Sequence, residues 1–468
     1  LSASATDFQT RASEALTHDA QRRTIRKAAE LLDARRVEAA AGVEDFEQLR
    51  DSARAAKFSV LRSLEARLLQ FEARIKENGG HVHFAADAEE ANRIIVGILK
   101  RRGVTKVVKS KSMATEEIEL NPALEKEGIT PVETDLGEYV AQLKGDKPSH
   151  IILPIIHLSR GQVADVFNQT ITTGATGDVA SLVETARLTL RKEFETAGAG
   201  ITGANFGVAD SGAICMVTNE GNGRFVTSLP KTHIAVMGIE KLVADLGDLS
   251  LFLKLLARSA TGQRLTVYTN LIWPGRKAGD GAGAEEAHVI LLDNGRSDLL
   301  NSQAAEILAC IRCGACLNIC PIYRAVGGHA YGGTYPGPMG SILSPALGHK
   351  QGSDLAAAST LCGACRDVCP VKIDIPRMLQ YYRTGERFGR RKGLLKGASF
   401  FAFGWLASRP GLYRAFMSLA RFFLHGGWIR LASWLPFGWT KHRLLKLPAR
   451  YSFVEQWQAR QAGQGSQA

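Results

Sequence analysis

Two short cysteine runs, each closing on Cys-Pro, limit what this chain can be more than any other feature. The first is Cys310-Ile-Arg-Cys313-Gly-Ala-Cys316-Leu-Asn-Ile-Cys320-Pro321, and the second is Cys362-Gly-Ala-Cys365-Arg-Asp-Val-Cys369-Pro370. The first has the C-x2-C-x2-C-x3-C-P spacing of bacterial two-cluster ferredoxins, in which the fourth cysteine serves the other cluster. Three closely spaced thiolates can surround one iron–sulfur cube, Gly314 relieves crowding, and the proline turns the chain away. Crossing the fourth cysteines predicts one complete set, Cys310, Cys313, Cys316 and Cys369. The other set, Cys320, Cys362 and Cys365, is one thiolate short, and Ser359 stands where its first cysteine would be. The expected cofactors are therefore two iron–sulfur clusters. One is 4Fe-4S; the second is 4Fe-4S with incomplete cysteine ligation, its fourth ligand being Ser359, water or a partner group, or it is 3Fe-4S. A structural zinc site is the competing reading, but zinc sites rarely use this spacing, and interleaved Cys-Pro runs are rarer still.

The remaining cysteine, Cys215, lies in Ala213-Ile-Cys-Met-Val217 and reads as a core strand residue. Thiols clustered this way favour metal over disulfides and a cytoplasmic location. No uninterrupted apolar stretch reaches the roughly 18 residues of a membrane-spanning helix. Leu1-Ser2-Ala3-Ser4 opens no basic-then-apolar pattern, so no secretory signal is expected.

A chain of 468 residues is too long for one core. Residues 1–80 are rich in Ala, Leu, Arg and Glu at helical spacing and read as helices. From 81 to 296, short apolar runs alternate with helical stretches, which predicts an α/β domain with a mostly parallel sheet. Strands are expected at 81–85, 104–108, 129–133, 149–155, 213–218, 232–237, 264–270 and 287–292, and helices at 87–102, 114–126, 178–196 and 239–257. Residues 297–386 form the cluster domain, entered through a helix at 297–309. Residues 387–468 form a helical extension.

The net charge of +12 is concentrated in that extension. Residues 387–454 hold thirteen Lys and Arg and no Asp or Glu; removing these from the 58 basic residues leaves 45 against 46 acidic ones. Five of the six tryptophans, Trp405, Trp428, Trp434, Trp439 and Trp457, also lie here. Trp with Lys and Arg is the composition of interfacial membrane helices, and equally of a surface that packs on a partner. No nucleic-acid-binding motif accompanies the charge.

With these residues in view, the chain resembles the LutB/LldF family, the iron–sulfur subunits of a three-subunit L-lactate utilization complex. The markers are Val108-Lys-Ser-Lys-Ser-Met113, Glu133-Thr-Asp-Leu-Gly-Glu138, Gly203-Ala-Asn-Phe-Gly-Val-Ala-Asp-Ser-Gly212, the first cysteine run, and Ala358-Ser-Thr-Leu-Cys-Gly-Ala-Cys365. The resemblance implies a LUD domain, similar in fold to the NagB/RpiA/CoA-transferase group. It also implies work with a cysteine-rich redox subunit and a second LUD-domain subunit, oxidising lactate to pyruvate.

Other side chains have weaker claims. Lys109, Lys111 and Ser112 follow one expected strand and Glu133 and Asp135 another, where open α/β sheets bind ligands. Glu220, in the turn Thr218-Asn-Glu-Gly-Asn-Gly-Arg224, is reminiscent of the nucleophile of CoA transferases, although an ordinary strand-ending turn explains it as well. His157, Arg160, Arg224 and His233 are carboxylate-binding candidates that structural roles would also explain. Gly327 to Gly340, between the cysteine runs, is expected to wrap the clusters and supply backbone donors to their sulfurs. Three functional classes follow: an electron-relay subunit, an enzyme whose LUD pocket oxidises a hydroxy acid with the clusters as acceptors, and an assembly protein. The clusters argue against the third. The second lacks a visible hydride acceptor, since no GxGxxG follows a strand.

Overall fold

The computed structural model describes residues 7–171, 174–277, 279–281, 283–348, 354–384, 394–424 and 449–464. Residues Leu1–Gly385 pack as one compact unit, and Glu386–Ala468 form a second.

The centre of the first unit is a six-stranded, all-parallel sheet. Its strands are β1 (His81–Ala85), β2 (Lys106–Lys109), β3 (Thr130–Glu133), β4 (Ala199–Gly203), β7 (Thr232–Gly238) and β10 (Glu286–Leu292), in the order β1-β10-β7-β4-β2-β3. β7 lies in the middle, with Ile234 opposite Ile201 on one side and His288 on the other. Both faces of this sheet are covered, so β7 is buried along its whole length. One face packs Ile95, Ile98 and Leu99 of the helix Ala88–Arg101 against Ile201, Ile234 and Ile290. The other packs Phe71 and Ile75 of the helix Leu64–Glu77 against Ala235, Met237 and Leu291. A smaller mixed sheet runs β8 (Leu242–Val243), β5 (Phe206–Val208), β6 (Ala213–Thr218) and β9 (Tyr268–Ile272). The fully buried Cys215 lies on β6, opposite Phe206 and Leu271.

Several expectations need correction. Residues 149–155 are not a strand. The His150 imidazole accepts the N–H groups of Ile152 and Leu153, Lys111 Nζ donates to the Ile152 carbonyl, and Ser149 N–H donates to Pro154, which together wind the segment into turns. The helix expected at 239–257 begins at Leu246, because 239–243 first make a 3-10 turn and β8. The stretch 114–126 divides into Met113–Glu117 and Leu120–Lys126, and 297–309 into Arg296–Leu300 and a 3-10 segment, Ala305–Ala309. The strand expected at 264–270 falls at 268–272. β4, β5 and β8 lie outside the expected strands.

The four N-terminal helices, Phe8–Ala15, Asp19–Ala41, Phe46–Arg62 and Leu64–Glu77, brace the cysteine region. Arg50 Nη2 donates to the carbonyls of Cys369 (2.7 Å) and Asp367 (2.9 Å). Arg54 Nη1 bonds the Lys372 carbonyl (2.6 Å) and pairs with Glu306 (2.7 Å). Arg11 Nε reaches the Ala330 carbonyl (2.9 Å) and Arg22 Nε that of Ala325 (3.1 Å). Each arginine satisfies carbonyls of a segment with little regular structure, a task a planar multi-donor cation suits.

A buried ion network joins the parallel sheet to the cysteine region. Arg296, following β10, pairs with Glu117 and Glu240 at 2.7 Å each, and Arg312 inside the first cysteine run pairs with Glu240 at 3.2 Å. Tyr335 adds a hydrogen bond to Glu117 (2.6 Å). Burial alone would raise both carboxyl pKa values, but the arginines outweigh it and hold them below the ordinary range. Removing one member leaves its partners charged and dry. Arg296→Ala is therefore expected to cost about 3–5 kcal/mol of stability, measured as a shift in urea unfolding, whereas Arg26→Ala, an exposed pair with Glu30, should change it by less than about 1 kcal/mol.

Candidate functional site

The two cysteine runs adopt nearly the same local backbone. Arg312 and Leu361, each preceding a cysteine, have φ of 60° and 55°, and Gly314 and Gly363, each following it, have φ of 79° and 87°. The left-handed glycines begin short helices, Ala315–Ile319 and Ala364–Asp367, that carry the next cysteine inward. Pro321 then starts the helix Pro321–Val326, its missing N–H costing nothing at a first turn.

Cys313, Cys316, Cys320, Cys365 and Cys369 are buried, Cys310 is partly exposed and Cys362 is exposed. Burial first, then the sulfurs of Cys310 and Cys369, push the Cys313 thiol far above its ordinary pKa. Cys316 is raised by burial and by Cys310, Cys313, Cys365 and Cys369. Cys365 is pushed up to about 12 by burial, Cys320 and Cys362, and Cys369 to about 11, mainly by burial. By these influences Cys310, Cys313 and Cys369 form one neighbourhood and Cys320, Cys362 and Cys365 an adjoining one, with Cys316 near Cys310, Cys313, Cys365 and Cys369.

Thiols crowded and dried in this way stay protonated unless a cation joins them, which is what iron supplies. The second coordination layer also fits a cluster. Backbone N–H groups of Ala315, Ile322, Tyr323, Arg366, Val371 and Ile373 point at the cysteine sulfurs, and Arg312 N–H lies 3.4 Å from Cys310 Sγ. The buried Tyr331 hydroxyl is turned toward Cys320 and has no other partner among the described residues. The segment 327–340 does wrap this region: Tyr331 and Tyr335 are buried and Gly337–Ala346 is a buried helix. The backbone donors to Cys320, however, come from Ile322 and Tyr323 just after it.

Beside the first neighbourhood, a cavity of about 300 Å³ opens along the carboxyl ends of the parallel strands. Arg312 and Lys241 line its end near Cys310; Lys111, Ser112, Asp135 and Glu220 line the rest. Among the described residues, Lys241 makes no hydrogen bond, and burial and Arg312 bring its pKa down to about 7. Burial and Asp135 push Glu220 up to about 7.

Of the residues singled out from sequence, the structure brings Lys111, Ser112, Asp135 and Glu220 together. Lys109 and Glu133 instead form a buried pair at 2.5 Å below the cavity floor, with Asn121 completing it. His233 is buried on β7 against Thr202 (2.9 Å). His157 bonds Asp146 at 3.1 Å and packs edge-on against His329, fastening the inter-run segment to the α/β part. Arg160 and Arg224 are exposed and do not line the cavity. Sequence reasoning missed Arg296, Arg312, Glu240, Lys241 and Lys57, whose Nζ donates to the carbonyls of Glu240 and Leu242. Only Arg312 carried a signal, by lying inside the motif.

Fold and site define a class: an α/β LUD domain joined to a two-cluster ferredoxin-type module. The LUD domain family matches residues 68–292 and the 4Fe-4S dicluster domain family residues 306–373. Proteins named lactate utilization protein B are 44% identical in Bacillus licheniformis and 43% in Bacillus subtilis, each over 87% of this chain and 86% of the relative. An Escherichia coli protein named uncharacterized electron transport protein YkgF is 40% identical over 91% of each chain. The chain belongs to the lactate utilization protein B family.

The raised Glu220 pKa carries a pH signature. A carboxyl whose folded pKa exceeds its unfolded value favours folding while protonated, so that contribution is present below about pH 4.5 and lost as pH rises to about 7. Glu220→Gln should remove the loss. Its stability relative to the unchanged protein should grow across that interval, by up to about 3 kcal/mol, in urea unfolding at pH 5 and pH 8. Equal differences at both pH values would contradict the assignment.

Proposed function

We propose that this protein relays electrons in lactate utilization, through two iron–sulfur clusters held by Cys310, Cys313, Cys316 and Cys369 and by Cys320, Cys362 and Cys365. The observation that carries the reading is the pair of adjoining sulfur neighbourhoods, one inside the protein beside the cavity and one reaching the surface at Cys362. What supports the crossed sets is that Cys369 feels Cys310 while Cys365 feels Cys320 and Cys362. Cys316 neighbours Cys365 and so links the two groups. The names of the relatives, lactate utilization and electron transport, support the pathway.

Bound clusters supply one-electron storage. The protein's own residues set the terms on which it occurs. Arg312, Lys57 and Lys241 all stand near Cys310, with Glu240 among them, so basic side chains face the inner site and offset negative charge placed there. N–H groups directed at the sulfurs act in the same sense. The outer site lacks a fourth thiolate and has Cys362 and Leu361 exposed, which gives electrons a short path to or from a partner. The partners we propose are a cysteine-rich redox subunit and a second LUD-domain subunit. Reconstituted alone, the chain should be reduced by dithionite yet show no L-lactate oxidation above the buffer rate. Steady lactate turnover by the single chain would favour oxidation within the LUD cavity instead.

The second unit supplies the attachment in this reading. Its described helices are Leu394–Ala407, Pro410–Phe423 and Phe453–Gln464. Phe400, Phe401, Phe422 and Phe453 are more than two-thirds exposed, and Arg409 stacks on Trp405 at 3.9 Å. No helix among the described residues is long and apolar enough to cross a membrane. Trp428, Trp434 and Trp439 lie outside the described residues. Basic residues near an anionic leaflet gain about 1 kcal/mol each, and an acidic partner face could use the same charges. Ending the chain after Gly389 should leave iron content unchanged while abolishing either sedimentation with anionic liposomes or co-purification with partner subunits. Loss of iron, or retention of both interactions, would contradict attachment.

A further inference from the structure

We infer that Ser359 Oγ is the fourth protein ligand of the outer cluster, so that this site holds four irons rather than three. The inference rests on the two-cluster reading and adds to it the identity of one ligand and the composition of the cluster.

In the first run, Cys310 follows the 3-10 segment Ala305–Ala309, and its sulfur accepts the N–H of Arg312 two residues on, at 3.4 Å. Arg312 is left-handed, Cys313 follows, and Gly314 is left-handed again. The second run follows the same course, with one residue more, Ala358, after its 3-10 segment. A 3-10 segment, Leu355–Ala357, precedes Ser359, whose Oγ accepts the N–H of Leu361 two residues on, at 3.1 Å. Leu361 is left-handed, Cys362 follows, and Gly363 is left-handed again. Leu361 carries a branched side chain at a φ of 55°, a conformation such residues adopt only where the surroundings impose it. The Ser359 oxygen therefore stands to Cys362 as the Cys310 sulfur stands to Cys313.

Ser359 is also held in place. Arg383, on the helix Ile375–Thr384, donates to the carbonyls of Ala356 (2.7 Å), Ala357 (3.3 Å) and Ser359. Three hydrogen bonds to one turn fix the loop that presents the hydroxyl, as a preorganised ligand requires. The nearby carboxylate, Asp367, is directed to Arg366 at 3.4 Å and is two-thirds exposed. The neighbourhood of Cys320, Cys362 and Cys365 has three thiols, and Ser359 occupies the fourth corner by the same local geometry that supplies it in the other run.

Ligation exchanges one bond for another with no change of oxidation state. An iron–oxygen bond forms as the Ser359 O–H bond breaks. The electron pair stays on oxygen and the proton passes to water, which the partly exposed Ser359 can reach. A hard oxygen donor holds ferric iron better than ferrous and leaves that iron the most exchangeable of the cube.

The test compares the full-length chain with Ser359→Ala and Ser359→Cys, each reconstituted anaerobically with iron and sulfide. The readouts are iron per chain and EPR spectra in the oxidised and reduced states. The unchanged protein should hold about eight irons per chain and show no three-iron signal when isolated anaerobically. Ser359→Ala should lose about one iron per chain and gain an oxidised three-iron signal of about one spin. Ser359→Cys should keep all its iron under a mild oxidant that strips one from the unchanged protein. The inner-cluster signal, present in all three, reports that the fold is intact. Equal iron and identical spectra for Ser359→Ala and the unchanged protein would overturn the assignment, as would a three-iron signal from the unchanged protein. Absence of both clusters from every variant would overturn the two-cluster reading as well.

Discussion

Seven cysteine sulfurs, five of them buried, must share two small volumes, and the rest of the structure follows from that demand. Thiols so placed resist ionisation, as the elevated Cys313, Cys316, Cys365 and Cys369 show. They become useful only when a cationic core joins them and polar groups offset the charge that core carries. The chain meets the second condition with backbone N–H groups from the short turns after each cysteine and with buried cations from distant segments. Lys57 comes from an N-terminal helix and Lys241 from the edge of the small sheet, and both stand near Cys310. The α/β part and the N-terminal helices are thus components of the cluster environment rather than neighbours of it.

That dependence explains why residues 1–385 form one unit although the sequence divides into helical, α/β and cysteine-rich stretches. The cysteine region has few long elements, so its carbonyls need partners from elsewhere. Arg11, Arg22, Arg50 and Arg54 cap those carbonyls from outside, while the Glu117–Arg296–Glu240–Arg312 network ties the region to the sheet from inside. The cavity lies at this junction, where the carboxyl ends of parallel strands meet the first cysteine run. Its polar lining is supplied by both sides, with Lys111 and Glu220 from the α/β part and Arg312 from the motif.

Much of the fold was legible because the strongest signals were local. The parallel strands β1, β7 and β10 announce themselves as apolar runs, and the motif spacing reports the cysteine turns directly. Where the reading failed, the cause was tertiary. Ala199-Gly-Ile-Thr-Gly203 looks too glycine-rich for a central strand. Yet a Cβ on Gly200 would lie 1.9 Å from the Val226 carbonyl oxygen, so a close helix approach requires the glycine. Ile151-Ile-Leu-Pro154 looks like a strand, but His150 and Lys111 claim its backbone groups. The site was read unevenly for the same reason. Cysteines at fixed spacing declare themselves, whereas Lys57, Glu240, Lys241 and Arg296 become neighbours only after folding. Lys109 and Glu133 looked like ligand groups because they end parallel strands, but each found the other first.

The central claim is that the two sulfur neighbourhoods hold clusters close enough to pass electrons. The most direct measurement is the EPR spectrum of the fully reduced, full-length chain after anaerobic reconstitution, with metal content determined on the same sample. The account predicts iron and sulfide as the bound elements and a spectrum broadened and split by magnetic coupling between two reduced clusters, simplifying when only one is reduced. A single uncoupled signal at full reduction, or zinc in place of iron at the cysteines, would contradict it.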